Sequence, residues 1–423
     1  MNNVLDLAGV GIGPFNLSLA ALLDKTTDVN YRFFDQKECF SWHSEIIFED
    51  SDMQTSYLKD LVTSVDPTSP YTFLNYLVEN GLFYVFMNTG RNNVTRKEFE
   101  TYLKWVAAKM SNKLQFNSPV SNVNFDGDKF ILKTKNETFQ SLNLCVGTGI
   151  TPRIPECARD FISKRFFHAK SSELKNLNVE NLDVMIIGGG QTGIEIFRNL
   201  YNEKWGAPKS LKLITGRNGL QPLDESPFTN EFFSPQYVDQ FFEIDRIKKE
   251  EIVKSQKYAS DGNTPHYLEM LYKELYQFKY VQNCPMDIMI YPNRRMHSVE
   301  KVNDRYKMVF DNQFTQSLNE MDADIVILCT GFENAIPEML SPIKHLISFD
   351  DQDRFVLNRD FSIKSQLGEK NKIYALNFSR HGHGISEPQT SLMAWRSATV
   401  INSLLKEKFY NINNSVKNLM SFV

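Results

Sequence analysis

Short apolar runs ending in glycine recur along the chain, and between them apolar residues return at helical spacing. "NVLDLAGVG" reads as a strand, "FNLSLAALLDK" as a helix with its apolar faces in register, and "VNYRFFD" as a second strand closing on an acid. Strand, helix, strand predicts a parallel pair with a crossover helix. "RKEFETYLKWVAAKM" is an amphipathic helix. "LQFNSPVSNVNFDGDKFILKT" predicts antiparallel strands, with Asp-Gly as the hairpin turn. "LNLCVGTGITPRIP" is a buried strand running into glycine and proline. A second strand–helix–strand unit begins at 183 with "DVMIIGGG", "QTGIEIFRNLYNEK" and "SLKLITGRN". Residues 220–280 turn helical and aromatic. "ADIVILCTGFENAIP" is another buried strand, and "HGHGISEPQTSLMAWRSATVINSLL" is a loop followed by a helix.

Composition narrows the class. At 423 residues, 42% hydrophobic and 23% charged, the chain has length for two or three packed domains. A net charge of -4 with interspersed signs disfavours a nucleic-acid partner. Five cysteines without a C-x-x-C pair argue against a disulfide framework, a zinc site and a dithiol redox motif, so no metal is expected and a reducing cytoplasm fits. The apolar start lacks a basic lead and is broken by Asp6, Gly9, Gly11, Gly13 and Pro14, unlike a signal peptide. No run reaches the length of a membrane span.

Two stretches carry chemistry. Gly188, Gly190 and Gly193 match G-x-G-x-x-G between a strand and a helix that opens at Gln191. In that pattern the first glycine makes the turn, the second admits a pyrophosphate and the third lets helix and strand pack closely. The next strand, "LKLIT", ends without an acid and is followed by Gly216, Arg217 and Asn218. A basic residue there suits a 2′-phosphate, so this cradle is read as binding NADPH through Arg217. The first cradle, Gly9-x-Gly11 with Gly13, has Pro14 in place of the third glycine, which a helix start tolerates. Asp35 closes its second strand at a distance suited to a ribose. Together the pair points to FAD in the first cradle and NADPH in the second. The turns "CVGTG" and "CTGFENAIP", the latter with Thr330 and Gly331, fit a chain returning past a bound dinucleotide.

The segment 33–83, with "GVGIGPFNLSLAAL", "GGGQTGIEIF", "NEFFSP", "CTGF" and "HGISEPQTSLMAWRSA", resembles the siderophore N-hydroxylating flavin monooxygenases, most closely the lysine N6-monooxygenase branch. The resemblance implies an α/β fold of two Rossmann-like dinucleotide-binding domains with a small helical substrate domain. We place the FAD domain at 1–170 plus 325–423, the NADPH domain at 171–220 plus 280–324, and the helical segment at 221–279. It also implies the reaction: NADPH reduces FAD, the flavin takes up O₂ as a C4a-hydroperoxide, and a neutral primary amine becomes a hydroxylamine. It sets Trp42, His43, Gln54 and Gln389 beside the flavin, Lys59 of "SYLKDLV" on a substrate carboxylate, and Asn230 of "FTNEFFSP" near the same end. Trp42 and Met53 suit the wall of a dry site. The ornithine enzymes also carry an N-x-N segment, where this chain reads "KYASDGNTPHY", and Gly382 of "RHGHG" stands where relatives show threonine.

No acid–base pair announces itself for the amine proton. A dry pocket would lower an alkylammonium pKa from about 10.4. L-lysine is the first-choice substrate, ahead of histamine, cadaverine, putrescine and L-ornithine. Other flavin monooxygenases carry F-x-G-x-x-x-H. Here "DFISKRFFHAK" keeps His168 but has Lys164 at the glycine position. A flavin disulfide reductase lacks its C-x-x-C, and a non-catalytic nucleotide-binding protein stays as the reading from another class. Relatives leave a homo-oligomer, tetramer or dimer, open.

Overall fold

The computed structural model describes residues 4–412 and 419–422. Two sheets organise it. In the first, Leu5–Val10 pairs in parallel with Tyr31–Phe34 on one side and with Thr138–Val146 on the other. The crossover helix Pro14–Leu23 starts with Gly13 as its cap and Pro14 in its first turn, where a missing N–H costs nothing. It is buried nearly all round, between the sheet and the C-terminal helix Met393–Leu405. Full burial of Leu17, Leu19 and Leu22 contributes about 2 kcal/mol each by area.

Asn122–Phe125 and Phe130–Lys133 form the predicted antiparallel hairpin, with Gly127, at φ +102°, in its turn. Phe130–Lys133 also pairs antiparallel with Thr138–Val146, whereas Leu114–Gln115, read as part of the same antiparallel run, pairs in parallel with Phe33 and Phe34. The amphipathic helix Arg96–Lys109 opens with a capping box between Thr95 and Glu98.

In the second sheet all strands are parallel, in the order Asp287–Tyr291, Ser210–Ile214, Asp183–Ile187, Ile325–Leu328, Phe166–His168. This corrects the sequence-based boundaries, which put 166–168 and 325–328 with the first lobe. Ile325–Leu328 pairs with Asp183–Ile187, and Phe166–His168 pairs with it in turn. The chain therefore changes lobe at Thr151–Pro152 and at Phe332–Glu333, and these two crossings pair antiparallel with each other. The sequence reading also passes over an antiparallel meander, Arg294–Val302, Arg305–Asn312 and Ser317–Ala323. Helices Pro235–Glu243, Arg246–Ser255, Lys257–Ser260 and Pro265–Tyr276 fill the helical stretch, and Tyr267 and Leu271 of the last pack into the core of the second sheet. Among the described residues no helix is long and apolar enough to cross a membrane, and all five cysteines are free.

Candidate functional site

A cleft of about 1140 Å³ opens where the first sheet meets its crossover helix. The carboxyl ends of parallel strands are where such folds take ligands. Gly11, Gly13, Pro14, Asp35, Trp42 and His43 all line it. Gly11 sits at φ +89°, and a Cβ there would stand 2.4 Å from the Gly147 carbonyl oxygen. A Cβ on Gly13 would meet nothing, so the helix start lies open and its unpaired N–H groups can face an anion. The Asp35 carboxylate accepts from the N–H groups of Ile12 at 2.6 Å and Lys37 at 2.9 Å. It braces the turn and keeps lone pairs for a diol.

His43 adopts φ +50°, and its Nδ1 is buried with no partner. Burial, reinforced by the Lys170, Arg96 and Lys37 cations, holds the imidazole down to about 4, so it is neutral at pH 7. Lys37 and Lys170 share the cleft wall, and sequence reasoning named neither. Burial lowers the Lys170 ammonium as well; it donates to the Ile150 carbonyl at 3.3 Å. Open helix start, crowded glycine, orphaned imidazole nitrogen and lysines together fit a flavin adenine dinucleotide. The volume exceeds the roughly 300–1,000 Å³ typical of drug-sized ligands.

Of the residues predicted beside the first dinucleotide, Gly9, Gln54, Thr330, Gly331 and Gln389 do not line this cleft. Gly9 makes room for Phe33, since a Cβ would fall 1.9 Å from that ring. The Gln389 carbonyl accepts from Arg396 at 3.2 Å, while its neighbours Pro388 and Thr390 line the cleft. The Thr330 hydroxyl donates to the Arg153 carbonyl. The Gly331 carbonyl, at the lobe crossing, accepts from the Arg153 N–H at 3.0 Å and faces His168 Nε2 at 3.0 Å.

The second cradle follows its pattern closely. Gly188 takes φ +131°, and a Cβ would lie 2.0 Å from the Cys329 carbonyl oxygen. A Cβ on Gly193 would lie 2.0 Å from the Gly188 carbonyl oxygen. Gly190 caps the helix Gln191–Tyr201, and the heavy atom nearest its absent Cβ is Arg217 Nη2, at 3.7 Å. Arg217 Nη1 is buried without a partner, and its guanidinium stands over the Tyr258 ring. The Lys257 ammonium is lowered by burial and then by Arg217. A buried guanidinium nitrogen in a basic pocket at a helix start fits a phosphorylated nicotinamide dinucleotide.

The remaining predicted residues gather less tightly. Gln54 is exposed, and its Nε2 donates to the Thr264 hydroxyl at 3.3 Å. Gln191 Oε1 accepts from the Thr264 N–H at 2.9 Å, so Gln54 meets the second cradle helix at one threonine. Met53 is buried beside it. Lys59 is partly buried, and burial alone lowers its ammonium. Its neighbour Asp60 is committed elsewhere, accepting from Val62, Thr63 and Phe73. Among the described residues no carboxylate pairs with Lys59. Asn230 is exposed on the short helix Thr229–Phe233, without a side-chain bond to Lys59 or Gln54. Asn263, which the sequence reading did not single out, is fully buried and donates to the Gly189 carbonyl at 3.1 Å, with its Oδ1 left unpartnered. The signal for it was the lone asparagine in "SDGNTPHY".

Two dinucleotide cradles, one on the parallel strands of a mixed sheet and one on an all-parallel sheet, define a flavin- and nicotinamide-dependent oxidoreductase. The comparisons narrow this. The chain belongs to the L-lysine 6-monooxygenase/L-ornithine 5-monooxygenase family, whose model matches residues 3–334. It is 35% identical to the L-lysine N6-monooxygenase of Escherichia coli, across 98% of this chain and 97% of that one. The FAD-bound cadaverine monooxygenase of Erwinia amylovora superposes with a TM-score of 0.91 at 25% identity, over 98% of each chain. The ornithine N-hydroxylase of Kutzneria sp. 744, with reduced FAD, NADP⁺ and L-ornithine, gives 0.88 at 25% identity, over 96% of this chain and 99% of that one.

Proposed function

We propose that this chain hydroxylates the terminal amine of L-lysine with FAD, NADPH and O₂, as a step in siderophore biosynthesis. The balance is R–NH₂ + O₂ + NADPH + H⁺ → R–NHOH + H₂O + NADP⁺. The observation that carries the amino-acid substrate is Lys59, a partly buried ammonium with no carboxylate of its own. An α-carboxylate would complete it with a charge-assisted bond and fix which end of the substrate points inward. The 35% identity to the lysine enzyme supports lysine over shorter amino acids.

In the first cleft the open helix start and the lysines would hold the diphosphate, and Asp35 the ribose. Bound there, a reduced flavin supplies the activation of O₂ and the oxygen atom that reaches the amine. Trp42 and Met53 keep water from that face. Gln54 offers an amide, which donates and accepts without titrating. Asn230 would serve the carboxylate end of the substrate. Arg217 would take the 2′-phosphate of NADPH. The amine loses its proton because a dry pocket disfavours the cation.

A diamine is the second reading, favoured by the 0.91 superposition on the cadaverine enzyme. The unpaired cysteines suit a reducing cytoplasm, and exposed Tyr84 and Val85 are in keeping with a homo-oligomer. A panel of L-lysine, L-ornithine, cadaverine, putrescine and histamine, scored for hydroxylamine rather than NADPH oxidation, tests the assignment. Lysine should give the highest product-forming kcat/KM; a clear preference for ornithine or a diamine would replace it.

A further inference from the structure

The helix Gln191–Tyr201 turns a polar edge toward the first lobe, and Glu195 stands on that edge, 0% exposed. Burial pushes its carboxyl upward, against the pull of Arg96. The chemistry above makes no use of this buried acid. Its two oxygens have separate partners: Oε2 accepts from Arg96 Nη1 at 3.1 Å, and Oε1 from Gln191 Nε2 at 2.8 Å. Gln191 is thereby turned so that its own Oε1 accepts the Thr264 N–H at 2.9 Å. The Thr264 hydroxyl then accepts from Gln54 Nε2 at 3.3 Å. A side-chain amide has no orientation of its own; its partners decide which end is oxygen. A carboxylate only accepts, so Glu195 forces nitrogen to one end of Gln191 and oxygen to the other.

We propose that Glu195 is a positioning residue, which orients Gln191 and through Thr264 ties the second cradle helix to the amide of Gln54. The catalytic consequence rests on the proposed function and on the place beside the flavin that the family resemblance implies for Gln54. Gln54 would then sit correctly only while the two lobes are docked as seen here.

The test exploits the direction of each bond. In Glu195→Gln, Arg96 claims the single oxygen and an NH₂ faces Gln191. Gln191 must turn, and its own NH₂ then meets the Thr264 N–H, donor against donor. Losing that bond should speed hydrogen exchange of the Thr264 amide in the full-length holoenzyme by about tenfold. The share of NADPH oxidised without hydroxylamine should rise, with the amine KM unchanged. Adding Gln191→Glu restores an acceptor both toward the amide now at position 195 and toward Thr264. At saturating NADPH the double variant should return exchange and product yield to within about twofold of the parent.

Unchanged Thr264 exchange in Glu195→Gln, or a double variant as impaired as the sum of the singles, overturns the proposal. Should Glu195→Gln alone not fold, a folded double variant with parental Thr264 exchange supports it and one with fast exchange overturns it. Exchange that responds and is rescued while product yield stays fixed upholds the relay and shows that Gln54 does not serve the flavin.

Discussion

Lys59→Met separates the carboxylate reading of the site from every other use of that lysine. Methionine keeps most of the apolar stem and removes the charge. Asp60 makes its bonds to Val62, Thr63 and Phe73 without the lysine, and burial is the one cause lowering the ammonium. The free protein therefore loses no ion pair, and Tm should hold or rise slightly. The bound amino acid loses a charge-assisted bond of about 1.5–3 kcal/mol. Lys59 is only partly buried, so solvent screening favours about 2 kcal/mol, or roughly 30-fold in kcat/KM for L-lysine. Cadaverine has no carboxylate to lose and should change by less than about threefold. The assay is hydroxylamine formed under initial-rate conditions for both amines, with Tm and flavin absorbance measured beside it. Equal losses for lysine and cadaverine, or a fall in Tm, would refute the reasoning and assign Lys59 to the fold or the flavin.

Gly188→Ala meets both a φ of +131° and the Cys329 carbonyl oxygen at 2.0 Å; flavin should stay bound and reducible by dithionite, while reduction by NADPH is lost, and parental NADPH rates would refute this. Arg217→Gln should lower the preference for NADPH over NADH by about 10- to 100-fold, the worth of a charged hydrogen bond, read from the ratio of kcat/KM values; an equal loss for both nicotinamides would move Arg217 off the 2′-phosphate. In the cofactor-free chain His43 stays neutral down to about 4, whereas the unfolded chain takes up its proton near pH 6.5, so the stability His43 contributes is present above the unfolded value and lost as pH falls. By pH 5 the loss reaches about 2 kcal/mol. His383, also held low, to about 3, adds a parallel loss, so denaturant titrations should compare parent with His43→Gln, which flattens the slope between pH 6.5 and 5 if this is right and leaves it unchanged if not.

The cradles were legible because each glycine answers a demand of the backbone that local sequence records. Gly188 and Gly193 are spaced by the turn itself, and the apolar strand before them fixes the context. Sheet membership was not legible in the same way. "RFFH" and "IVIL" announce burial, but pairing with Asp183–Ile187 is decided by partners far along the chain. The meander was missed because its strands bury one face only, as the alternation at 305–312 shows, and its other two strands are largely exposed. Lys170 and Asn263 reach their cradles through tertiary placement, which no spacing encodes. Thr330 and Gly331 make the expected turn, and their bonds fasten the lobe crossing to Arg153 and His168.

Pro14 is the departure that most needs a physical account, and Asn16 supplies it. In the second cradle the helix comes so close that position 193 tolerates only glycine, with the Gly188 oxygen 2.0 Å from any Cβ. In the first, the buried Asn16 holds the turn instead, donating to the carbonyls of Gly11 at 2.7 Å and Val10 at 3.2 Å. A side-chain clasp needs room, and the room is taken from the neighbouring strand end: a Cβ on Gly147 would fall 2.5 Å from Asn16 Nδ2. The steric demand that G-x-G-x-x-G places on the helix is here moved to "CVGTG", which is why that turn carries a glycine at 147. Asn16 and Glu195 each stand seven residues beyond the first glycine of their cradle. One buried polar position thus does two jobs: in the first unit it locks the turn that faces the flavin, and in the second it faces outward across the seam, where a carboxylate can set the orientation of an amide.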